Sequence, residues 1–520
     1  MQFLFLLNLA RKLQRRVPAG FLKASHLQGG YADSRKPHGA LSTPTTKTSH
    51  NKKYVLTRGL LVASIMTMTA CHSIQRVERP AFDVPQEVQN AAAEIVPSVE
   101  IEKDWWASFQ SPQLNQLIEL AHQQNPDLRI AAERVRQAEL QMRIAGASLF
   151  PSFNISGSTG SGRSRFDGGE WQKNESSRLG LGASYEVDLW GRVSADINAA
   201  RANFNASQYD QVASELSING AVANAWFQWL VLQQRIATAQ ENLRIAERTS
   251  QIVEARYRNG VATASEVSRQ RTNLLSQQSS LIPLQLQARQ SRAALALLVG
   301  ESSLNFVLHN ENAEQLMSLS VPEISAGIPA DLLTRRPDLA SAEAQLQASD
   351  ANVAAARAAL LPSVQLTGSA SRGSPFLFSL AQPTDTLSWS LSLAQTLFSA
   401  GRIRNQVALS ESQRVTLVER YRANILTAVQ EVNDALDRRA VAAELEQRQM
   451  EVLKEAERTL QLVEARYREG RDDLLSLLDA QRTVFQARDQ LAQQRLDRLR
   501  AAVDLYLALG GGWSLNESLE

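Results

Sequence analysis

The octapeptide Val253–Gly260, Val-Glu-Ala-Arg-Tyr-Arg-Asn-Gly, returns at Val463–Gly470 with a single change, Asn259 to Glu469. The offset is 210 (463 minus 253), and other breakpoints keep it: Gly191 and Gly401 lie 210 apart, as do Gly300 and Gly510, while Pro151 and Pro362 lie 211 apart. Asn125–Ser152 likewise returns as Arg336–Ser363, with its Pro-Asp-Leu start and its proline stop intact. Solenoid repeats run to roughly 20–50 residues. A period four times that length means two halves of one architecture, copied whole and in register.

Composition narrows the class. Of 55 Lys and Arg and 53 Asp and Glu, residues 1–70 hold 11 and 1, which leaves 44 basic against 52 acidic residues and a balance of about −8. A nucleic-acid partner would need a cationic face, so none is expected. Few Pro and Gly in a chain rich in Ala, Leu, Gln, Arg and Glu favour long helices. Cys71 is the only cysteine, so no internal disulfide can form, and only His122 and His309 follow residue 72. No metal site, cofactor site, nucleotide loop or nucleophile–base pair is written here, and an enzyme is not expected.

The first 50 residues have no defensible period and read as an extension or a mis-assigned start. Lys52-Lys53, Arg58, the apolar run Gly59–Met66 and small residues up to Ala70 form a secretory signal too short to span a bilayer. Cys71 directly after Ala70 makes it similar to a lipoprotein signal in which Cys71 is lipidated and becomes the mature N-terminus, although Met68 stands where Leu is usual. His72 and Ser73 are not the Asp that holds enteric lipoproteins in the inner membrane. The expected domains are a leader (1–70), a linker (71–103), repeat 1 (104–300), an equatorial linker (301–331), repeat 2 (332–513) and a tail (514–520).

Each repeat changes period once. Pro126 and Pro337 start helices that run to Phe150 and Leu361, where Pro151 and Pro362 stop them. Beyond the prolines the period becomes 2, most clearly at Leu179–Leu189 and Leu387–Leu397, with apolar residues on one face and Gly, Ser, Glu or Thr on the other. Strands of roughly 9–11 residues with one apolar and one small polar face read as membrane strands rather than a soluble sandwich. The expected strand pairs cover about 152–189 and 363–397, joined by Gly- and Ser-rich loops over 157–178 and 368–386.

Gly191-Arg192 and Gly401-Arg402 then open helices reaching Arg258 and Arg468. Nearly seventy residues extend about 100 Å. Gly260 and Gly470 are expected to reverse the chain as left-handed caps, with Thr263–Glu266 as the capping box of the return helix. That return helix carries two adjacent seams in its second copy, Leu477, Val484, Leu491 and Leu478, Phe485, Ala492, Leu499. Two seams let it be gripped on both sides, as a closed ring of helices requires. Four membrane strands cannot close a barrel, so several copies must pool them.

These residues resemble the outer-membrane efflux protein family, in its NodT-type lipoprotein branch. The resemblance covers Asp104–Trp513 and is carried by Leu332–Leu339 (Leu-Leu-Thr-Arg-Arg-Pro-Asp-Leu), Ala356–Pro362, Tyr185–Gly191 and Leu477–Gln481. It implies a mainly α chain with membrane β, whose long helical hairpins form a trimeric α-barrel continuous with a composite 12-strand transmembrane β-barrel, four strands per protomer. It further implies lipid anchoring in the outer membrane, a homotrimer, a periplasmic adaptor, an inner-membrane pump of the resistance-nodulation-division type, and export of drugs or other small toxic compounds. A type I protein-secretion duct and a periplasmic adaptor or coiled-coil scaffold are the competing functions. By family motif, Asp479 matches a selectivity ring and Tyr467 a gating tyrosine. Asp472 replaces an arginine of the enterobacterial prototype, and Asp472 and Asp479, seven apart, are expected on one helix face pointing into the lumen. Asp473 is expected to be an N-cap only.

Overall fold

A computed structural model describes residues 102–308, 314–322 and 336–513. Cys71, the leader and Leu332–Arg335 lie outside the described residues.

After a 3-10 turn at Trp105–Phe109 come α1 (Pro112–Gln124) and α2 (Pro126–Ala147), then β1 (Ser152–Ser164) and β2 (Gln172–Glu186), then α3 (Arg192–Arg258) and α4 (Ala264–Leu298). The second repeat supplies α5 (Pro337–Ala358), β3 (Ser363–Ser374), β4 (Thr384–Ala394), α6 (Arg402–Arg468) and α7 (Leu474–Ala508). The duplication is thus visible element by element, and α3 and α6 match at 67 residues each, about 100 Å of helix. Pro126 and Pro337 stand at the first helical position. There the missing amide costs nothing. Asn125 caps α2, accepting from the amides of Asp127 and Leu128 at 2.7 and 3.1 Å.

Four boundaries differ from expectation. The aromatic run after Asp104, which reads as the start of the first helix, is a 3-10 turn, and regular helix begins only at Pro112. Helices α2 and α5 stop at Ala147 and Ala358, three residues short, because the turn before each proline is already irregular. The strands continue far into the segments expected as loops, so the true turns are 165–171 and 375–383. Gly and Ser residues imitate a loop in sequence, but the ladder from Ser152↔Ser184 to Ser164↔Gln172 is unbroken. At the other end the strands stop at Glu186 and Ala394, short of Leu189 and Leu397.

The four strands form one antiparallel sheet in the order β1-β2-β3-β4. Its register sorts side chains by row. Ile155, Leu181, Ala370 and Leu387 align on one face, as do Phe153, Ala183, Gly368 and Trp389, whereas Asn154, Gly182, Ser369 and Ser388 align on the other. The apolar face is bare within the protomer: Phe153 is 78 % exposed, Leu387 86 % and Trp389 79 %. A row of large apolar residues this exposed marks a membrane or partner surface. Among the described residues, both outer strands, β1 and β4, have one edge without a partner strand.

Helix α3 is the spine, packing against α2 and α5 toward the sheet and against α4 and α7 toward the tip; α6 lies against α5 and α7. The main core sits at mid-height, where Trp226, Phe227 and Leu230 of α3 meet Leu496, Leu499 and Leu505 of α7 and the aromatics of the 3-10 turn. Trp105 stacks on Tyr506 with ring centroids 5.1 Å apart. Ser111 Oγ accepts from Trp226 Nε1 at 3.1 Å and donates to Glu314, binding the linker to this core. The buried Glu446 of α6 pairs with Arg495 at 3.1 Å and Arg498 at 2.6 Å, and Arg495 also donates to the Leu319 carbonyl. This triad holds the second hairpin to the linker between the repeats.

Candidate functional site

The far ends of the two helical hairpins carry the expected site residues. Gly260 and Gly470 have φ of +73° and +74°, left-handed values that glycine adopts without strain. Each makes a Schellman turn: Gly260 N–H donates to Tyr257 O and Val261 N–H to Arg256 O, at 3.0 and 2.8 Å, and Gly470 and Arg471 repeat the pattern at 3.1 and 2.9 Å. The return helices start alike. Thr263 and Glu266 close a capping box, and Asp473 accepts from the Ser476 amide at 2.8 Å, so Asp473 is a cap, as the sequence indicates. These bonds also set the charge. The Ser476 backbone amide holds the Asp473 carboxyl below its usual range, and the Thr263 amide, with its hydroxyl, does the same for Glu266.

Asp472 and Asp479 do not share a helix face. Asp473 is the N-cap of α7, so Asp472 lies before the helix in the turn, and a seven-residue spacing carries no facing rule across a cap. Asp472 accepts from Arg466 Nε at 2.9 Å. Asp479 is exposed and pairs with Arg482 one turn on, at 2.7 Å. Both carboxylates therefore have cations beside them.

Tyr467 is buried to 9 % exposure among Val253, Leu474 and Leu477. Its repeat mate Tyr257 is 49 % exposed. Tyr467 also meets Arg256 of the first hairpin, whose guanidinium sits 5.1 Å from the centroid of its ring. Arg256 was missed in the sequence, yet a signal existed. Asp472, which engages Arg466, aligns with Ala262, so Arg256 has no carboxylate at the matching place and reaches the neighbouring hairpin instead. Higher up, Arg235 of α3 grips Asp489 of α7 through two bonds, at 2.6 and 3.2 Å, and Arg500 donates to Gln228 at 2.7 Å. Between tip and grip lies a recess of about 250 Å³, lined by Asn242, Gln277, Leu478, Asp479, Arg482 and Phe485. The two hairpins are thus joined at separate points with a gap between them.

The family model for outer membrane efflux protein matches residues 117–301 and 328–511, once in each repeat. The chain belongs to the outer membrane efflux protein family. It is similar to the pyoverdine export outer membrane protein OpmQ of Pseudomonas putida, 38 % identical over 419 residues covering 79 % of this chain and 88 % of that protein. It also resembles the cation efflux system protein CusC of Escherichia coli, 31 % identical over 452 residues covering 86 % and 97 %. Among solved structures, the outer-membrane channel OprN superposes with a TM-score of 0.77 at 27 % identity, covering 84 % of this chain and 98 % of that one. Efflux-protein membership fixes the architecture. The chain is the protomer of a trimeric channel-tunnel, mainly helical, whose sheet is one part of a composite membrane barrel. It is an outer-membrane exit duct of an efflux pump, seated in the outer membrane and extending into the periplasm. Among the described residues no helix is long and apolar enough to cross a membrane; the four strands with the bare apolar face are the elements that do.

Proposed function

We propose that the trimer passes small toxic or amphipathic compounds from a periplasmic adaptor and an inner-membrane pump of the resistance-nodulation-division type to the exterior, through an aperture at the hairpin tips. The observation that carries this reading is the pairing, in one protomer, of a sheet with two unpartnered edges and two helical hairpins about 100 Å long. Three copies give twelve strands and a continuous wall below them. Relatives named for pyoverdine export, toluene efflux and cation efflux support small cargo over secreted protein. The four-strand membrane sheet weighs against a periplasmic adaptor.

The proposed aperture is ringed by the segment from Tyr467 to Asp479, with Gly260 and Gly470 at the turns. Its energy comes from partner proteins, since the reading asks only for conduction and opening. Cys71 is proposed as the lipidated mature N-terminus, supported by the lone cysteine behind a short export signal.

Expression with a cognate pump and adaptor in cells lacking their own duct tests the reading. A heat-stable trimer in the outer-membrane fraction and dye efflux that depends on the adaptor are expected. A periplasmic monomer, or efflux without the adaptor, overturns it. Lipid labelling should vanish in Cys71→Ser.

A further inference from the structure

The β3–β4 connection, Pro375–Pro383, reads Pro-Phe-Leu-Phe-Ser-Leu-Ala-Gln-Pro and holds no charge. A loop meeting external water is ordinarily polar. Here Phe378 is 87 % exposed, and Phe376 and Leu380 are exposed beside it. Phe378 and Gln382 both have φ of +51°, a region costly for side chains larger than glycine and kept only where surrounding contacts enforce it.

Those contacts place the loop. Ser177 Oγ donates to the Phe376 carbonyl at 2.7 Å, and the Phe378 amide donates to Thr159 Oγ1 at 3.3 Å. Ser374 Oγ accepts from the Phe376 amide at 3.3 Å and donates to the Ala381 carbonyl at 2.5 Å. The loop therefore folds back onto Thr159, Ser177 and Ser374 instead of rising away from the strands. Ser177 and Ser374 are buried beneath it.

Strand alternation identifies the face. A Cβ on Gly157 would meet Leu179 Cδ1 at 3.9 Å, so Gly157 shares its face with Leu179. Thr159 and Ser177, two residues further along β1 and two back along β2, lie on that same face, and their hydroxyls bond each other at 2.9 Å. It is the face of Phe153, Ile155, Leu181, Leu387 and Trp389, the lipid side of the barrel. The lumen face carries Asn154, Ser156 and Ser371, and the hydrogen bonds that place the loop go instead to Thr159, Ser177 and Ser374.

Charges on the lipid side bracket the loop. One row toward the periplasm, Arg372 and Asp385 form a two-bond ion pair at 2.7 and 2.8 Å. Two rows outward, Arg163 stands directly opposite Lys173. The loop thus sits within a charged band whose periplasmic side borders the apolar rows of Leu387 and Trp389, and such a boundary is the level at which barrel aromatics meet lipid headgroups.

We infer that Pro375–Pro383 is a lipid wedge: it lies on the outer wall of the barrel and sets Phe376, Phe378 and Leu380 into the outer leaflet at the headgroup–acyl boundary. The inference rests on the strands spanning the membrane as barrel strands. The wedge resumes the apolar face beyond the row of Arg372 and Asp385, where the strands themselves turn polar. Its role is to fix the depth of the barrel, and it leaves the mouth of the duct open.

Nitroxide labels attached at Phe378→Cys, and separately at Leu380→Cys, in a Cys71→Ser background test this in trimers reconstituted into bilayers. Collision rates with oxygen, which partitions into lipid, and with a water-soluble nickel chelate report the surroundings. Leu387→Cys serves as the lipid-facing reference and Glu170→Cys, in the β1–β2 turn, as the aqueous one. An oxygen-to-nickel ratio at both loop sites severalfold above that at Glu170→Cys is expected. A ratio matching Glu170→Cys, with Leu387→Cys still in lipid, overturns the wedge and leaves the barrel standing. Low collision with both reagents means that a neighbouring protomer covers the loop, and overturns it equally. If Leu387→Cys itself reads as aqueous, the barrel reading falls and the wedge with it.

Discussion

Replacing Arg256 by Gln should loosen the hairpin tips, and the size of the effect follows from one contact and the symmetry of the trimer. The Arg256 guanidinium lies over the Tyr467 ring at 5.1 Å, and with the arginine itself partly exposed such a contact contributes about 0.5–1 kcal/mol. On the reading that this contact belongs to the closed aperture, three copies put about 1.5–3 kcal/mol of closed-state preference at stake. At 1.36 kcal/mol per factor of ten, that is roughly a 10- to 150-fold gain in the open-to-closed ratio. The effect should be confined to the tip. Arg235–Asp489 lies 21 residues up α3 (256 minus 235), about 32 Å away, and remains as the joint about which the hairpin ends part.

Single-channel recordings in planar bilayers measure this as the fraction of time spent in the high-conductance state. Two controls separate a latch between hairpins from a general loss of structure. Tyr467→Phe keeps the ring and should behave as the parent protein. Arg466→Gln breaks only the ion pair with Asp472 inside the second hairpin, and should shift opening far less than Arg256→Gln. An Arg256→Gln channel whose open fraction stays within about twofold of the parent would refute the reasoning, as would Tyr467→Phe opening as far as Arg256→Gln.

Other variants probe separate parts of the molecule. Gly300→Ala should lower trimer yield and melting temperature by several degrees, because its φ is +81° and a Cβ would stand 2.4 Å from the Gln124 carbonyl oxygen, which is backbone and cannot yield. Glu446→Gln should cost about 3–5 kcal/mol in denaturant unfolding, since it leaves Arg495 and Arg498 facing a neutral partner at a buried site. Glu266 and Asp473 have depressed carboxyl pKa values in the folded chain. Their stabilisation is therefore complete above the unfolded values near pH 4 and is lost as pH falls through the lower folded ones. Asp473→Asn keeps a capping oxygen but removes the titration, so its melting temperature should fall less steeply on acidification below about pH 4. Neutralising Asp472 and Asp479 together with Asn should reduce cation selectivity and block by multivalent cations in bilayer recordings; unchanged selectivity would place the gate at Tyr467 or on the first-repeat turn.

Much of the architecture could be read from the chain because the responsible residues act locally. Proline at a first helical position, glycine in a left-handed cap and a Thr-x-x-Glu box each decide a boundary within one turn, and all stand where the sequence puts them. What escaped reading depends on partners distant in sequence. Gly157–Ser164 looks like loop text because its residues are small and polar on both faces. Only the pairing with Gln172–Leu179 makes it strand. The fold of Pro375–Pro383 onto β1 is equally invisible, since it turns on Thr159, more than 200 residues away.

The tip shows how a duplicated sequence becomes an unequal structure. The octapeptides are alike, so each hairpin presents an Arg-Tyr-Arg turn of the same shape. The three positions just past the turn differ, Val261-Ala262-Thr263 against Arg471-Asp472-Asp473, and of these the exchange of Ala262 for Asp472 bears on what each first arginine does. Arg466 is taken up by Asp472 within its own hairpin, whereas Arg256, with only a methyl group at that place, crosses to Tyr467. The tyrosine that receives it is buried in an apolar cluster with Val253, Leu474 and Leu477, while its repeat mate is half-exposed. Placing Asp at 262 should therefore draw Arg256 back to its own turn, and so weaken the latch without altering Arg256 or Tyr467. An Ala262→Asp channel that opens no more readily than the parent would show that the two hairpins are held by their apolar contacts, Val253 against Leu474 and Leu477, and that the arginine is incidental.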